Sequence, residues 1–204
     1  MAKVKMSKKS TKIDMTAMCD VAFLLLSFFV MTSTAKVPEP LPVDTPASTR
    51  ETKLPETDLV TITVGKEKVF FGMVGQDVRS NALGRIAEKY KLSFTEEDTK
   101  RFSLFDCFGV PAGSLKGLIS LKSDERNKDG VQSGIPYDSI DNQLREWILA
   151  ARFATKELHQ KELKVAIKGD AKEEYPTIKK VIDILQDQKV NKFFLVTGLR
   201  TEDF

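Results

Sequence analysis

Histidine and cysteine are nearly missing from this chain, with one histidine, His159, and two cysteines, Cys19 and Cys107, among 204 residues. No HExxH and no CxxC occurs, so the common zinc signatures are excluded and no metal ligand set is expected. Cys19 lies in an apolar run and Cys107 in the later part of the chain, which argues against a disulfide framework. Cys107 sits in FDCFGV and reads as a buried apolar thiol. A lone histidine and the lack of a nucleophile elbow weigh against a hydrolase. Surplus charge is missing as well. Lys3, Lys5, Lys8, Lys9 and Lys12 against Asp14 and Asp20 give residues 1–35 a net charge of +3, which is the value for the whole chain. Residues 36–204 are therefore formally neutral and carry no electrostatic footprint for nucleic acid.

What the chain does have is one long apolar run. Residues 15–34, MTAMCDVAFLLLSFFVMTST, contain no Lys, Arg, Glu, Gly or Pro. As a helix, such a run reaches about 30 Å, the thickness of a bilayer's hydrocarbon core. The expected span is 15–35. The lysines precede it, so the positive-inside rule places residues 1–14 in the cytoplasm and the rest outside. A cleaved signal peptide is the competing reading, supported by the basic start and by Ser33-Thr34-Ala35 as a small-x-small site. The length of the run and the aspartate within it favour a retained span.

That aspartate, Asp20, is the informative residue. A carboxylate inside a bilayer costs roughly 2.5–3.5 kcal/mol on insertion scales. Aspartate is too short to reach back to the interface as lysine does. Asp20 therefore needs partner helices, a hydrated pocket, or a proton of its own. Thr16, Ser27 and Thr34 fall on the same helical stripe, and the surrounding positions are mostly Phe and Leu. A single polar stripe is expected to face protein rather than lipid, and Thr16, Ser27 and Thr34 are the candidate lining of a proton pathway. Two roles remain open for Asp20 at this point, a proton carrier and a structural contact between helices. The hydroxyls also have a plainer use, bonding to their own helix backbone.

Residues 36–57 hold five of the eight prolines and read as an extended tether unable to pack a core. Residues 58–204 read as a compact α+β domain. VTITV (60–64) and KVFF (68–71) predict a β-hairpin, and 77–90 predicts a helix through Val78, Ala82, Leu83, Ile86 and Tyr90. Ser93 or Thr95 is expected to cap a short helix, and DERNKDG (124–130) to be an exposed loop. Pro136 and Asp138 are expected to open a helix that buries Ile140, Leu144, Trp147, Ile148 and Ala151. Leu163, Val165 and Ile167 predict a strand, Ile178, Val181, Ile182 and Leu185 a helix starting near Pro176, and Phe193–Val196 a second strand. That order makes a βαβ unit with parallel strands. No glycine-rich phosphate loop follows its first strand, so no nucleotide cofactor is expected.

The stretch IDMTAMCDVAFLLLSFFVMTS (13–33) resembles the transmembrane signature of the ExbD/TolR family. In that family an Ile-x-x-Thr-Pro element precedes an apolar run opened by Asp-Val. Ile13, Thr16, Asp20 and Val21 match, and Ala17 stands where proline is usual. Residues 162–198 are similar to the family's outer domain, with a strand, Asp170, Tyr175, an amphipathic helix and a final strand in that order. Residues 91–135 are not covered by the resemblance and read as an insertion.

The resemblance implies a fold of one transmembrane α-helix plus a small α+β periplasmic domain with a β-hairpin, helices and a C-terminal βαβ unit. It implies a non-enzymatic subunit of the bacterial inner membrane with Asp20 as its proton-translocating residue. The implied partners are a second copy of the chain, a pentameric ExbB-like ring around the helix pair, a TonB-like protein spanning the periplasm, and the lipid bilayer. TonB, Tol and gliding machinery remain open. So does the rival of a membrane-tethered, Tol-Pal-type binding module acting at the cell wall, in which Asp20 is a structural interhelical contact.

Overall fold

The computed structural model describes residues 15–33, 39–48, 53–128, 130–138 and 141–199. The chain divides into two compact units, Met1–Val37 and Pro38–Phe204. The basic tail 1–14, Thr34, Ala35 and Ile140 lie outside the described residues.

In the first unit, helix α1 runs Met15–Thr32 without a break. Neither Gly nor Pro interrupts it, and its 18 residues reach about 27 Å. It is the only helix among the described residues that is long and apolar enough to cross a membrane. Its side chains are exposed along the whole length, including Phe23, Leu24, Phe28 and Phe29.

The second unit is built on a five-stranded mixed sheet. Strand β2 (Leu59–Gly65) and strand β3 (Lys68–Met73) form the expected hairpin, with Ile62 opposite Phe71. The two residues between them, Lys66 and Glu67, both have positive φ, 52° and 58°. That is the mirror-image turn whose twist suits a tight hairpin. Strand β5 (Lys164–Gly169), helix α7 (Tyr175–Asp187) and strand β6 (Phe193–Val196) form the βαβ unit, and β5 and β6 are parallel. Hairpin and βαβ unit share one sheet because β2 also pairs in parallel with β5, Ile62 beside Ile167. A two-residue strand β4, Cys107–Phe108, adds to the free side of β3, giving the order β4-β3-β2-β5-β6.

Alternation along the strands sorts residues onto two faces. Val60, Ile62, Val64, Val69, Phe71, Met73, Val165 and Ile167 point into the main core. Helix α2 (Gln76–Tyr90) adds Val78, Ala82, Leu83 and Ile86, and α7 adds Val181 and Leu185. Helix α6, Gln143–His159, adds Leu144, Trp147, Ile148 and Ala151 as expected, but it starts later than the sequence suggests. Pro136 accepts from the Leu144 amide through its carbonyl, and Asn142 is the cap, its side chain accepting from the Arg145 amide at 3.0 Å. An isolated antiparallel bridge joins Tyr137 to Asn142 just ahead of the helix.

Residues 91–135 are wired into this core. Helix α3, Glu96–Ser103, opens on a capping box between Thr95 and Asp98, Thr95 being one of the two caps expected from sequence. Helix α4, Leu115–Ser120, buries Leu115, Leu118 and Ile119. Phe102 and Phe108 pack on Trp147, with ring centroids 5.9 and 4.7 Å from it. Two buried glutamines fix the path. Gln132 Oε1 accepts from the Gly109 amide at 2.6 Å, and Gln143 Oε1 from the Ala112 amide at 2.7 Å. The loop expected at 124–130 begins as a helical turn, α5, Ser123–Arg126.

The tether also departs from expectation. Residues 39–48 lie along the second unit instead of standing clear of it. Leu41 is only 4% exposed. Glu39 pairs with Lys168 at 2.6 Å, and the carbonyls of Asp44 and Pro46 accept from the amides of Ala171 and Gly198. Strand β1, Ala47–Ser48, runs parallel to strand β7, Gly198–Leu199. Gly65 leaves the room this needs, since a Cβ there would stand 2.8 Å from Val43 Cγ1. Gly65 and Lys168 alternate with the core-facing residues, so the strap lies on the sheet's other face. Proline stiffens the strap without preventing a leucine from finding an apolar seat.

Candidate functional site

Within α1 the one charged side chain is Asp20. It lies five residues past Met15, about 8 Å along the axis. Thr16 precedes it by four residues and Ser27 follows by seven, so the helical repeat of 3.6 brings the three to one face. The structure brings these three of the four expected site residues onto one stripe, while the fourth, Thr34, lies outside the described residues. Ser27 Oγ donates to the Leu24 carbonyl at 2.9 Å, and Thr32 Oγ1 to the Phe28 carbonyl at 2.8 Å. Ser27 thus has the local backbone bond usual for hydroxyls on helices, with its oxygen lone pairs still able to accept.

Burial pushes the Cys107 thiol up to about 12, so it stays protonated and is not a nucleophile. Among the described residues no group of three or more His, Cys, Asp or Glu side chains is arranged to hold a metal ion. Sequence reasoning passed over two features that the fold builds. One is the docked strap, whose signal was the alternation of Leu41 and Val43 between prolines. The other is a junction where His159 meets Asp58 and Asp77, residues too distant in sequence for any motif to join them.

An apolar helix long enough to cross a membrane and carrying one carboxylate is followed by a small α+β domain with a mixed sheet, a layout that fits a single-pass membrane-anchored subunit. The family model for the biopolymer transport protein ExbD/TolR matches residues 6–199, and the chain belongs to that family. Neither the search of curated proteins nor that of solved structures gave a match. The matched range includes residues 91–135, several of whose side chains pack into the shared core. Family and helix together fit a single-pass inner-membrane protein that works as an accessory subunit of biopolymer transport, within a membrane-embedded complex.

Proposed function

We propose that this chain is the proton-carrying subunit of an inner-membrane motor of ExbB–ExbD type that energises TonB-dependent transport across the outer membrane. Asp20 binds a proton from one side and releases it to the other. The observation that carries this reading is the placement of α1's one charged side chain on a stripe with Thr16 and Ser27, in a helix otherwise suited to lipid. Two copies of α1 inside a pentameric ExbB-like ring supply the protein surroundings that such a stripe requires. The tail 1–14 is cytoplasmic and the α+β unit periplasmic, following the lysine distribution. The energy is sufficient in kind, since one charge crossing 100 mV releases about 2.3 kcal/mol. The α+β unit passes the resulting motion to a TonB-like protein.

Proton flux into proteoliposomes holding this chain and its ring-forming partner tests the reading. Wild type is expected to conduct and Asp20→Asn to be silent with the complex intact. Equal flux in both rejects the proton role. Loss of the complex in Asp20→Asn identifies Asp20 instead as an interhelical contact, the arrangement expected of a tethered Tol-Pal-type module.

A further inference from the structure

Asp58, Asp77 and His159 come from three separate elements. Asp58 is the last residue before β2, where the chain from the tether joins the sheet. Asp77 lies in the first turn of α2, and His159 ends α6. His159 Nδ1 contacts Asp58 Oδ1, and its Nε2 lies 2.9 Å from Asp77 Oδ2. The carboxylate of Asp58 is 6% exposed, while that of Asp77 is 52% exposed. Lys161, from the loop beyond α6, approaches Asp58 Oδ2 at 3.8 Å. These are the charged groups gathered at the ring: Asp58 before β2, Asp77 on α2, and Lys161 across Asp58.

An ionised carboxylate can only accept hydrogen bonds, so holding both contacts requires a proton on each ring nitrogen. That is the imidazolium form. Both helix ends favour the same charges, a cation at the C-terminus of α6 and an anion at the N-terminus of α2. A neutral ring has one N–H to give. Buried Asp58 needs it more than Asp77, which water can solvate and which also accepts from the Val78 amide at 2.9 Å.

We propose that His159 is a pH-operated clasp: as imidazolium it fastens the start of β2 and α2 to the end of α6, and as the neutral ring it keeps Asp58 and lets Asp77 go. The clasp sits where the chain enters β2, and this inference stands whether or not Asp20 carries protons. The two carboxylates, by hydrogen bonding, raise the pKa of His159 above its usual value. His159 in turn lowers those of Asp58 and Asp77. The histidine's contribution to stability is therefore complete below about pH 6.5 and lost as pH rises through its raised folded value. The carboxylates' contribution is present above about pH 3.9 and lost as pH falls through their lowered folded values. The clasp is closed between these limits and opens on the alkaline side.

Because the chain has one histidine, ring-15N NMR of the full chain in nanodiscs reports His159 alone, provided the affinity tag contains none. The expected result is a titration midpoint above about 6.5, with the neutral ring protonated at Nδ1. Asp77→Asn is expected to lower the midpoint and leave the tautomer unchanged. A wild-type midpoint at or below 6.5, or a neutral ring protonated at Nε2, overturns the clasp. A second measurement compares thermal unfolding of wild type and His159→Gln at pH 6 and pH 9. The gap is expected to be smaller at pH 9 than at pH 6, and a gap equal at both values rejects a pH-operated device. If His159→Gln does not fold, the same comparison is made with Asp77→Asn, which leaves the buried pair in place.

Discussion

Two aspartates in this molecule are treated in opposite ways. Asp58 is buried in the α+β unit and met from within the same chain, by His159 and Lys161. Asp20 rides on a helix whose side chains are all exposed, surrounded by phenylalanine and leucine. The α+β unit meets its buried carboxylate from within, around one main core in which Gln132 and Gln143 bond to backbone amides. Helix α1 buries none of its side chains. A carboxylate solved internally stabilises a fold, whereas one left for partners to solve is available for work between them.

The largest effect expected from breaking this contrast is at Asp20. Asn keeps the volume and most hydrogen bonds but cannot carry a proton, so Asp20→Asn is expected to abolish energised transport at normal expression. Transport by the mutant in cells at the wild-type level would sink the role assigned to it. The same substitution is expected to leave thermal unfolding of the α+β unit unchanged.

Phe102→Ala strikes the other region. Phe102 is fully buried against Phe105, Phe108 and Trp147. Its loss is expected to destabilise the α+β unit by about 3–5 kcal/mol through the cavity it leaves. Trp147 is the chain's one tryptophan, so denaturant unfolding followed by its fluorescence reads this directly. A change under about 1 kcal/mol would mean that residues 91–135 lie outside the cooperative core.

The difference between the two regions also explains what could be read in advance. Helix α1 was legible because the length and apolar character of a helix are local properties of one run of residues. The hairpin, α2, the βαβ unit and the buried face of α6 carry their own periodicities and were legible for the same reason. The start of α6 was not, because Pro136 and Asp138 look like a helix start, whereas the bridge from Tyr137 to Asn142 and the cap at Asn142 set it later. The role of 91–135 was hidden because β4 is two residues long and gains meaning only beside β3. The strap was hidden because proline-rich composition signals extension, and an extended segment still docks when a glycine such as Gly65 clears its path. The clasp at His159 has no sequence signal at all, since its residues are 101 and 82 positions apart.

A smaller effect is expected at the strap. Leu41→Ala removes most of the apolar side chain that seats residues 39–48, weakening docking by about 2 kcal/mol. Hydrogen exchange is expected to quicken at Ala171 and Gly198, whose amides donate to the strap, while amides of β2 and β5 keep their protection. Unchanged exchange at both would mean that the Glu39–Lys168 pair and the short β1–β7 pairing hold the strap without Leu41. Faster exchange throughout β2 and β5 would make the strap part of the core rather than a layer on it.

The smallest effect is expected at Ser27. It shares the face of Asp20 yet already spends its proton on the Leu24 carbonyl of its own helix. Ser27→Ala removes that bond and one acceptor from the stripe, and alanine repays part of the loss through its higher helix propensity, about 0.5 kcal/mol. Transport is therefore expected to fall less than about tenfold, the equivalent of about 1.4 kcal/mol in a rate. Ser27→Thr, which restores a hydroxyl able to make the same backbone bond, is expected to fall between the alanine variant and wild type. The measurement is uptake of an energy-dependent substrate at matched protein levels. A loss in Ser27→Ala as complete as in Asp20→Asn would place the hydroxyl on an obligatory proton path. In that case the Leu24 bond is a resting arrangement that Ser27 leaves during each cycle. A mild loss that Ser27→Thr corrects would instead confine Ser27 to supporting the helix on which Asp20 works.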